Sequence, residues 1–304
     1  MRAAAIHLHL GAHKTATSYI QAQLQNNLDG LVKCDVGFVL TQQFRRWRVK
    51  TVRECRDNAD ALSARFDAFI AQHANAARTL LLSDENMIGT CEQIAEHGSL
   101  YPDVRRKLGH VAMMLRGYEV RLFISLRRYD EFYAAALCEA ARGGHFISFT
   151  DFQRRLDANG RRWTNVLQDI AQLFPASQLS VWPYELFRQR PHLVMEEMIG
   201  QTLTGQFHLA NETIRRSPSH QAMVILEHIG EWAPKLIGRR AVKWAEAVAG
   251  LAPAPWPYSP WPKEARDHLR ALYLSDLEAI RSDSRYEVLT DPDGSSKTLQ
   301  VNAG

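Results

Sequence analysis

A short polar loop, residues 11–18, follows the first apolar run and reads Gly-Ala-His-Lys-Thr-Ala-Thr-Ser. An amphipathic segment comes directly after it. A strand, a tight loop and a helix N-terminus together form an anion site, because backbone N–H groups point outward and the helix dipole favours negative charge. Lys14 adds a positive charge. The hydroxyls of Thr15, Thr17 and Ser18 add hydrogen-bond donors. The loop therefore predicts a binding site for an anionic group.

The spacing within this loop excludes a Walker A motif. That motif is G-x-x-x-x-G-K-[ST], in which the lysine directly follows a second glycine. Here Lys14 stands three residues after Gly11, the only glycine of the loop. A site for a nucleoside triphosphate with magnesium is therefore not expected. The alternative, that Thr17 and Ser18 only cap a helix, does not account for Lys14.

Another apolar run, Leu122–Leu126, ends at Arg127 and Arg128. The planar guanidinium fork of an arginine suits a phosphate dianion. Ligands of parallel α/β sheets bind outside the carboxyl ends of the strands, so we expect Arg127 near the loop. A strand-end salt bridge is the alternative interpretation of the two arginines.

A third apolar run, Thr79–Ser83, ends at Asp84 and Glu85. A carboxylate beside an anion site can accept a proton as a general base, and Glu85 is the first candidate, with Asp84 second. The alternative is that either carboxylate caps the next helix or pairs with Lys14 or an arginine.

Apolar patterning predicts an α/β fold. Five short runs predict strands at Ala3–Leu10, Gly37–Leu40, Thr79–Ser83, Glu119–Leu126 and Gln178–Pro183. Helical patterns follow at Thr17–Leu28, Asn58–Ala77, Asp103–Arg116, Asp130–Ala141, His220–Gly230, Arg239–Ala249 and Pro262–Ser282. We expect a doubly wound, mostly parallel five-stranded sheet with helices on both faces, followed by a helical C-terminal part.

The 304 residues fit a single domain. Within it we expect an α/β core over residues 1–217, a helical subregion over 218–290 and a disordered tail over 291–304. The proline-rich segment Ala252–Pro262 excludes a helix and predicts a stiff connector whose aromatic residues pack on the core. The alternative for this segment is one wall of an acceptor pocket.

The composition is ordinary for a globular protein, and the net charge of +4 suits an anionic ligand but is too small to indicate nucleic acid. The basic residues are scattered, and we expect most of them, including Arg45, Arg46 and Arg48, on solvated helix faces.

No segment has the length of a transmembrane helix, and residues 1–10 indicate a buried strand instead of a signal peptide. Four dispersed cysteines without metal spacing indicate reduced thiols and a cytoplasmic protein.

The loop resembles the 5′-phosphosulfate-binding loop of sulfotransferases that use 3′-phosphoadenosine 5′-phosphosulfate (PAPS), above all the bacterial version G-x-H-K-T-G-T-T. The matching positions are Gly11, His13, Lys14, Thr15 and Thr17. Ser18 replaces the last threonine. Ala16 stands where glycine is usual, so we expect a negative φ there. The resemblance spans roughly residues 3–217 and implies a P-loop-type fold with PAPS bound by the whole loop, Ala12 included.

The same resemblance implies further contacts with the donor. Arg127 stands at the position of the arginine that holds the 3′-phosphate, and Ala135 takes the place of a serine eight residues later. A missing hydroxyl there implies either a replacement group or a weaker donor affinity. Tyr184 corresponds to a tyrosine near the adenine. Arg215 or Arg216 falls where the family reaches back to the 3′-phosphate.

The resemblance implies in-line transfer of a sulfuryl group to an acceptor hydroxyl without a metal. Catalysis of this kind depends on positioning and charge stabilisation. Lys14 neutralises the departing 5′-phosphate. Glu85 takes the acceptor proton, with Asp84 and His13 as rival bases.

A sugar is the first expectation for the acceptor, and a lipid or small metabolite is the second. The tryptophans that either line an acceptor pocket or belong to the core are Trp232, Trp244, Trp256 and Trp261. Two other functions compete. One is a kinase on a related fold, and the other is a non-catalytic binding protein, which Ala16 and Ala135 favour.

Overall fold

The computed structural model describes residues 5–74, 77–203, 207, 209, 217–232, 237–251 and 256–291. They contain one six-stranded, all-parallel sheet in the order β2-β3-β1-β4-β5-β6. The strands are β1 Ala5–His9, β2 Val36–Phe38, β3 Thr79–Ser83, β4 Val120–Leu126, β5 Gln178–Pro183 and β6 Tyr286–Val288. The predicted α/β fold with a parallel sheet is therefore confirmed.

Helices connect the strands and form the C-terminal part. The helices are α1 Thr17–Asn26, α2 Leu28–Lys33, α3 Thr41–Cys55, α4 Ala59–His73, α5 Cys91–His97, α6 Val104–Met114, α7 Tyr129–Gly143, α8 Phe149–Asn159, α9 Trp163–Leu173, α10 Tyr184–Gln189, α11 Pro191–Ile199, α12 His220–Trp232, α13 Arg239–Ala249 and α14 Lys263–Arg281. A short 3₁₀ helix, Glu85–Met87, follows β3. Side-chain oxygens of Asn58, Thr90 and Ser148 cap α4, α5 and α8 and fix where these helices begin.

The prediction of five strands is wrong by one. β6 lies in the C-terminal region for which only helices were predicted, and it pairs with β5 from Leu179 opposite Tyr286 to Val181 opposite Val288. Three residues are too few to show an alternating pattern in the sequence. The strand forms because β5 offers an unpaired edge to the chain that leaves α14.

Two apolar cores cover the two faces of the sheet. Ile6, Leu8 and the strand residues in line with them pack against α3–α9 and α12–α14. Leu81, Phe123 and Trp182 point to the other face and pack against α1, α2, α10 and α11. Burial on both faces explains why the central strands are almost continuously apolar.

The C-terminal helices are joined to the core through buried polar contacts. The carboxylate of Asp276 on α14 accepts hydrogen bonds from the Tyr129 hydroxyl and from the Trp163 backbone N–H, and it pairs with Arg162 at 2.8 Å. The indole of Trp261 donates to the Asp130 carbonyl at 2.9 Å, so this tryptophan belongs to the core.

The other three tryptophans considered for the acceptor pocket are on the surface. Trp232, Trp244 and Trp256 are 88%, 55% and 51% exposed, so they do not belong to the core, and they do not line the cleft at the carboxyl ends of β1, β3 and β4. Residues 252–255 of the predicted connector and residues 292–304 of the predicted tail lie outside the described residues.

All four cysteines are free thiols. Across the described ranges, no helix combines the length and apolar character that crossing a bilayer requires.

Replacing Asp276 with alanine should lower the free energy of unfolding by about 3 kcal/mol or more, because Arg162 and the Tyr129 hydroxyl lose their buried partner. Chemical denaturation measures the change. The matched control is Asp267→Ala on the same helix, whose half-exposed carboxylate pairs with Lys263, and it should change the value by less than about 0.5 kcal/mol. Equal effects of the two substitutions would contradict the structural role of Asp276.

Candidate functional site

The order of the strands brings three predicted segments together. β1 lies between β3 and β4, and all three strands run in parallel. The loop of residues 11–18 leaves β1, the acidic segment leaves β3 and Arg127 leaves β4 at the same edge of the sheet. This is the edge at which ligands of open parallel sheets bind.

The loop is built on left-handed backbone conformations. Gly11, Lys14 and Ala16 have φ values of 50°, 63° and 63°. A Cβ on Gly11 would lie 2.7 Å from the Thr17 hydroxyl oxygen, so only glycine fits there. The expectation of a negative φ at Ala16 is wrong. The turn into α1 requires a left-handed residue at this position, and alanine adopts it at a cost of about 1 kcal/mol.

Two threonine hydroxyls brace the loop from inside. Thr15 Oγ1 donates to the Ala12 carbonyl at 2.6 Å, and Thr17 Oγ1 donates to the same oxygen at 3.1 Å. Both threonines are buried. Their hydroxyl hydrogens therefore shape the loop, while the half-buried Ser18 faces the cleft.

His13 is fixed by three hydrogen bonds. Its backbone N–H donates to the Tyr101 hydroxyl oxygen at 2.8 Å, and Nδ1 lies 3.2 Å from the same oxygen. Nε2 lies 3.0 Å from the Asn86 side-chain oxygen, so Nε2 carries the hydrogen. Burial lowers the pKa of His13 and keeps the ring neutral. With both ring nitrogens engaged, His13 is a poor candidate for a base.

Lys14 faces a carboxylate across the cleft. Its Nζ lies 3.2 Å from Oε2 of Glu139 on α7, and the two side chains are only 14% and 18% exposed. Sequence reasoning missed Glu139, because 125 residues separate it from Lys14 and only the rotation of α7 brings it to the loop.

Arg127 joins β4 to the loop. Its Nη1 donates to the Lys14 carbonyl at 2.6 Å, and its Nε and Nη2 donate to Glu131 at 3.2 and 3.1 Å. The guanidinium carbon also lies 4.9 Å from the centre of the Tyr184 ring. Arg127 therefore lies directly beside the loop, as the sequence predicts.

The two candidate carboxylates have different surroundings. Asp84 is fully buried and bound by Arg45 at 2.7 Å and Arg48 at 2.6 Å, so it holds α3 to β3 and is closed to a substrate. The expectation that Arg45 and Arg48 lie on a solvated face is wrong, because Asp84 recruits both. Glu85 lines the cleft and contacts Arg45 at 3.1 Å.

The carboxylate of Glu85 is oriented from two sides. Besides Arg45, the Gln21 side-chain amide donates to it at 3.0 Å. Burial alone would raise the pKa of Glu85, but the positive charge of Arg45 and the hydrogen bonds that the carboxylate accepts, among them the one from Gln21, bring the pKa below its usual value. Glu85 is therefore ionised at neutral pH and able to accept a proton.

The segments enclose one cleft of about 730 Å³. Its lining residues are His13, Lys14, Ala16, Thr17, Ser18, Tyr19, Arg45, Glu85, Asn86, Thr90, Cys91, Glu92, Arg127, Glu139, Tyr184, Phe187, Arg188, Pro191 and Ser217. One wall is aromatic: Tyr184 stacks on Phe187 with ring centres 6.2 Å apart, and Tyr19 meets Phe187 edge-on. An aromatic wall next to two cations fits a planar, anionic ligand.

Not every predicted residue reaches this cleft. Ala135 is half-buried on α7 and, within the ranges described, is absent from the lining. Gly11, Ala12 and Thr15 lie beneath the surface of the loop. Arg215 and Arg216 lie outside the described residues.

A buried polar chain lies under the loop. Gln21 donates to the Ser83 hydroxyl at 3.1 Å, and Ser83 lies 2.9 Å from His9 Nδ1. The same Gln21 amide reaches Glu85, so the chain runs from the cleft to β1. His9 is fully buried and stacks on Trp182, and burial lowers its pKa to about 4.

No protein-family model, curated protein or solved structure matches this chain. The described ranges contain no group of three or more histidine, cysteine, aspartate or glutamate residues placed to hold a metal ion. The site is therefore interpreted from its own geometry. It combines a constrained loop, two cations with carboxylate partners, an oriented glutamate and an aromatic wall.

Replacing Ala16 with glycine should raise the free energy of unfolding by about 1 kcal/mol, because glycine adopts a positive φ without steric strain. The opposite sign is expected for Ala22→Gly inside α1, which should lower the value by about 1 kcal/mol. Urea denaturation compares the two variants with the wild type. A loss of stability in both would contradict the strained conformation of Ala16.

The folded protein should lose stability as the pH falls from 7 to 5. In the unfolded state His9 takes up a proton near the ordinary histidine pKa of 6.5, whereas in the folded state its pKa is about 4. Because the unfolded state binds more protons, the free energy of unfolding should fall by about 2 kcal/mol over this range from His9 alone. The lowered pKa values of His7 and His13 act in the same direction.

His9→Gln removes this titration. Between pH 7 and 5, unfolding of the variant should take up about one proton fewer than unfolding of the wild type, so its free energy of unfolding should depend less on pH. The measurement is the denaturation midpoint and slope at several pH values. An unchanged pH dependence in the variant would contradict burial of a neutral His9.

Proposed function

We propose that this protein is a sulfotransferase that moves a sulfuryl group from PAPS to an acceptor hydroxyl. The observation that supports it best is the contact of Arg127 with the Lys14 carbonyl at 2.6 Å, which holds the arginine after β4 against the loop after β1, so that both cations line one cleft. PAPS carries anionic groups at both its 5′ and 3′ positions. One site with two neighbouring cations suits such a ligand.

In this proposal the loop holds the phosphosulfate and Arg127 holds the 3′-phosphate. The helix N-terminus of α1 and Lys14 supply positive potential at the 5′ side. The stacked pair of Tyr184 and Phe187 offers a flat surface for the adenine.

The transfer itself is an in-line displacement at sulfur. The acceptor oxygen forms a bond to sulfur while the bond from sulfur to the 5′-phosphate oxygen breaks, and 3′-phosphoadenosine 5′-phosphate leaves. Lys14 stabilises the negative charge that builds on the departing phosphate. Glu85 accepts the hydroxyl proton, since it is ionised, oriented by Gln21 and Arg45 and open to the cleft.

Each of the two cations forms an ion pair with a carboxylate. Glu139 pairs with Lys14, and Glu131 pairs with Arg127. The donor phosphates replace these partners in the proposed complex. The pairs satisfy the partly buried cations until the donor arrives, and this exchange lowers the net gain on binding.

The donor site is tested by thermal shift with 3′-phosphoadenosine 5′-phosphate and, separately, with ATP and magnesium. The bisphosphate should stabilise the wild type by about 2.7 kcal/mol at roughly a hundredfold excess over Kd, and ATP with magnesium should not. Lys14→Ala and Arg127→Ala should each weaken binding by about tenfold or more while the unliganded protein stays folded. Lys263→Ala, on the exposed side of α14, is the control and should bind normally.

Stabilisation by ATP with magnesium alone would contradict the proposal and favour a kinase. Binding of the bisphosphate without transfer of labelled sulfate from PAPS into any cell extract would favour a non-catalytic binding protein. Normal binding by both Lys14→Ala and Arg127→Ala would show that the cleft is not the donor site.

A further inference from the structure

Helix α13 presents apolar residues to solvent. Trp244, Val248 and Leu251 are 55%, 37% and 87% exposed. Trp244 and Val248 are four residues apart on one face of α13, and Leu251 lies two residues beyond the end of the helix at Ala249. The neighbouring helix α12 packs against α13 and ends at Trp232, which is 88% exposed. Large aromatic residues are seldom exposed to this degree on a surface without a partner.

This face is not the side of α13 that attaches the helix to the protein. Val242, Ala245 and Ala249 are buried and form that attachment, and they lie on the opposite side of the helix. The packing of α13 on the core therefore does not involve Trp244, Val248 or Leu251. We call the outward side, with Arg240 and Lys243, the α13 face.

The fully exposed charges of this helix are all positive. Arg239, Arg240 and Lys243 are exposed, and the only acidic residue of α13 is Glu246. Glu246 pairs with Arg142 on α7 at 2.8 Å, so its charge is already neutralised. The α13 face therefore combines a tryptophan and aliphatic side chains with positive charge and has no carboxylate of its own.

We propose that the α13 face binds the surface of a membrane that contains anionic lipids. A helix with a basic and apolar outer side lies in the interface, where tryptophan is at the level of the headgroups and lysine and arginine attract anionic lipids. A two-fold contact between two copies would instead bring Arg240 and Lys243 of each copy close together, with like-charge repulsion. A sugar-binding surface would need acidic or amide side chains beside the tryptophan, and the face has none within the described residues.

The α13 face is a separate site from the cleft. None of the α13 residues lines the cleft, although α13 packs against α7, which carries Glu139. The proposal does not depend on sulfuryl transfer.

Co-sedimentation with vesicles tests this proposal. The wild type should bind vesicles of phosphatidylglycerol and phosphatidylcholine, bind vesicles of phosphatidylcholine alone far less, and dissociate at high salt. The double variant Arg240→Gln with Lys243→Gln should lower the partition coefficient by about fivefold for each charge. Trp244→Ser with Leu251→Ser should lower it by about tenfold or more.

The matched control is Leu274→Ser on α14, which removes a 47% exposed leucine elsewhere on the surface and should bind like the wild type. All variants should keep the stabilisation by 3′-phosphoadenosine 5′-phosphate that the wild type shows, so failure here is distinct from failure of the donor site. Equal binding to both kinds of vesicle, or normal binding by the Trp244 and Leu251 variant, would overturn the proposal. A concentration-dependent dimer that this variant abolishes in light scattering would identify a second copy as the partner instead.

Discussion

The position of β1 between β3 and β4 is the constraint on which the site depends. In a parallel sheet this order forces the segments that leave the three strands to meet at one edge. The loop, Glu85 and Arg127 are therefore neighbours although more than a hundred residues separate the first from the last. The contact of Arg127 with the Lys14 carbonyl fixes their spacing. Apolar packing on both sheet faces keeps the strands, and so the site, in register.

The ion-pair partners of each charged group of the site determine whether the group is open to the cleft. Asp84 has two arginine partners and is buried, so it serves the fold. Glu85, the next residue, shares Arg45 but opens to the cleft and keeps its charge. Lys14 pairs with Glu139 and Arg127 pairs with Glu131, and both cations line the cleft. Adjacent carboxylates thus differ in their access to a ligand according to the number of their partners and their burial.

The sequence predicts those residues of the site that closely follow a strand. Near-continuous apolar runs locate β1, β3 and β4, and the parallel arrangement puts Lys14, Glu85 and Arg127 together. Glu139 could not be predicted, because its contact depends on how α7 is rotated over the loop. The left-handed φ of Ala16 has no signature in residue type, and β6 is too short to show a pattern. Periodicity identified α13, but which of its sides is buried becomes clear only from the packing of Val242, Ala245 and Ala249.

In the proposed function the cleft is an anion site, and Glu139 pairs with Lys14 until an anionic ligand takes the place of this carboxylate. Isothermal titration calorimetry with 3′-phosphoadenosine 5′-phosphate, on the wild type and on Glu139→Gln, tests it most directly. We expect one site per chain and tighter binding by Glu139→Gln, by about fivefold to tenfold, because the ligand no longer competes with a carboxylate. Glu264→Gln, at an exposed position in the first turn of α14, is the control and should bind like the wild type. No binding by either protein, or weaker binding by Glu139→Gln, would contradict the account.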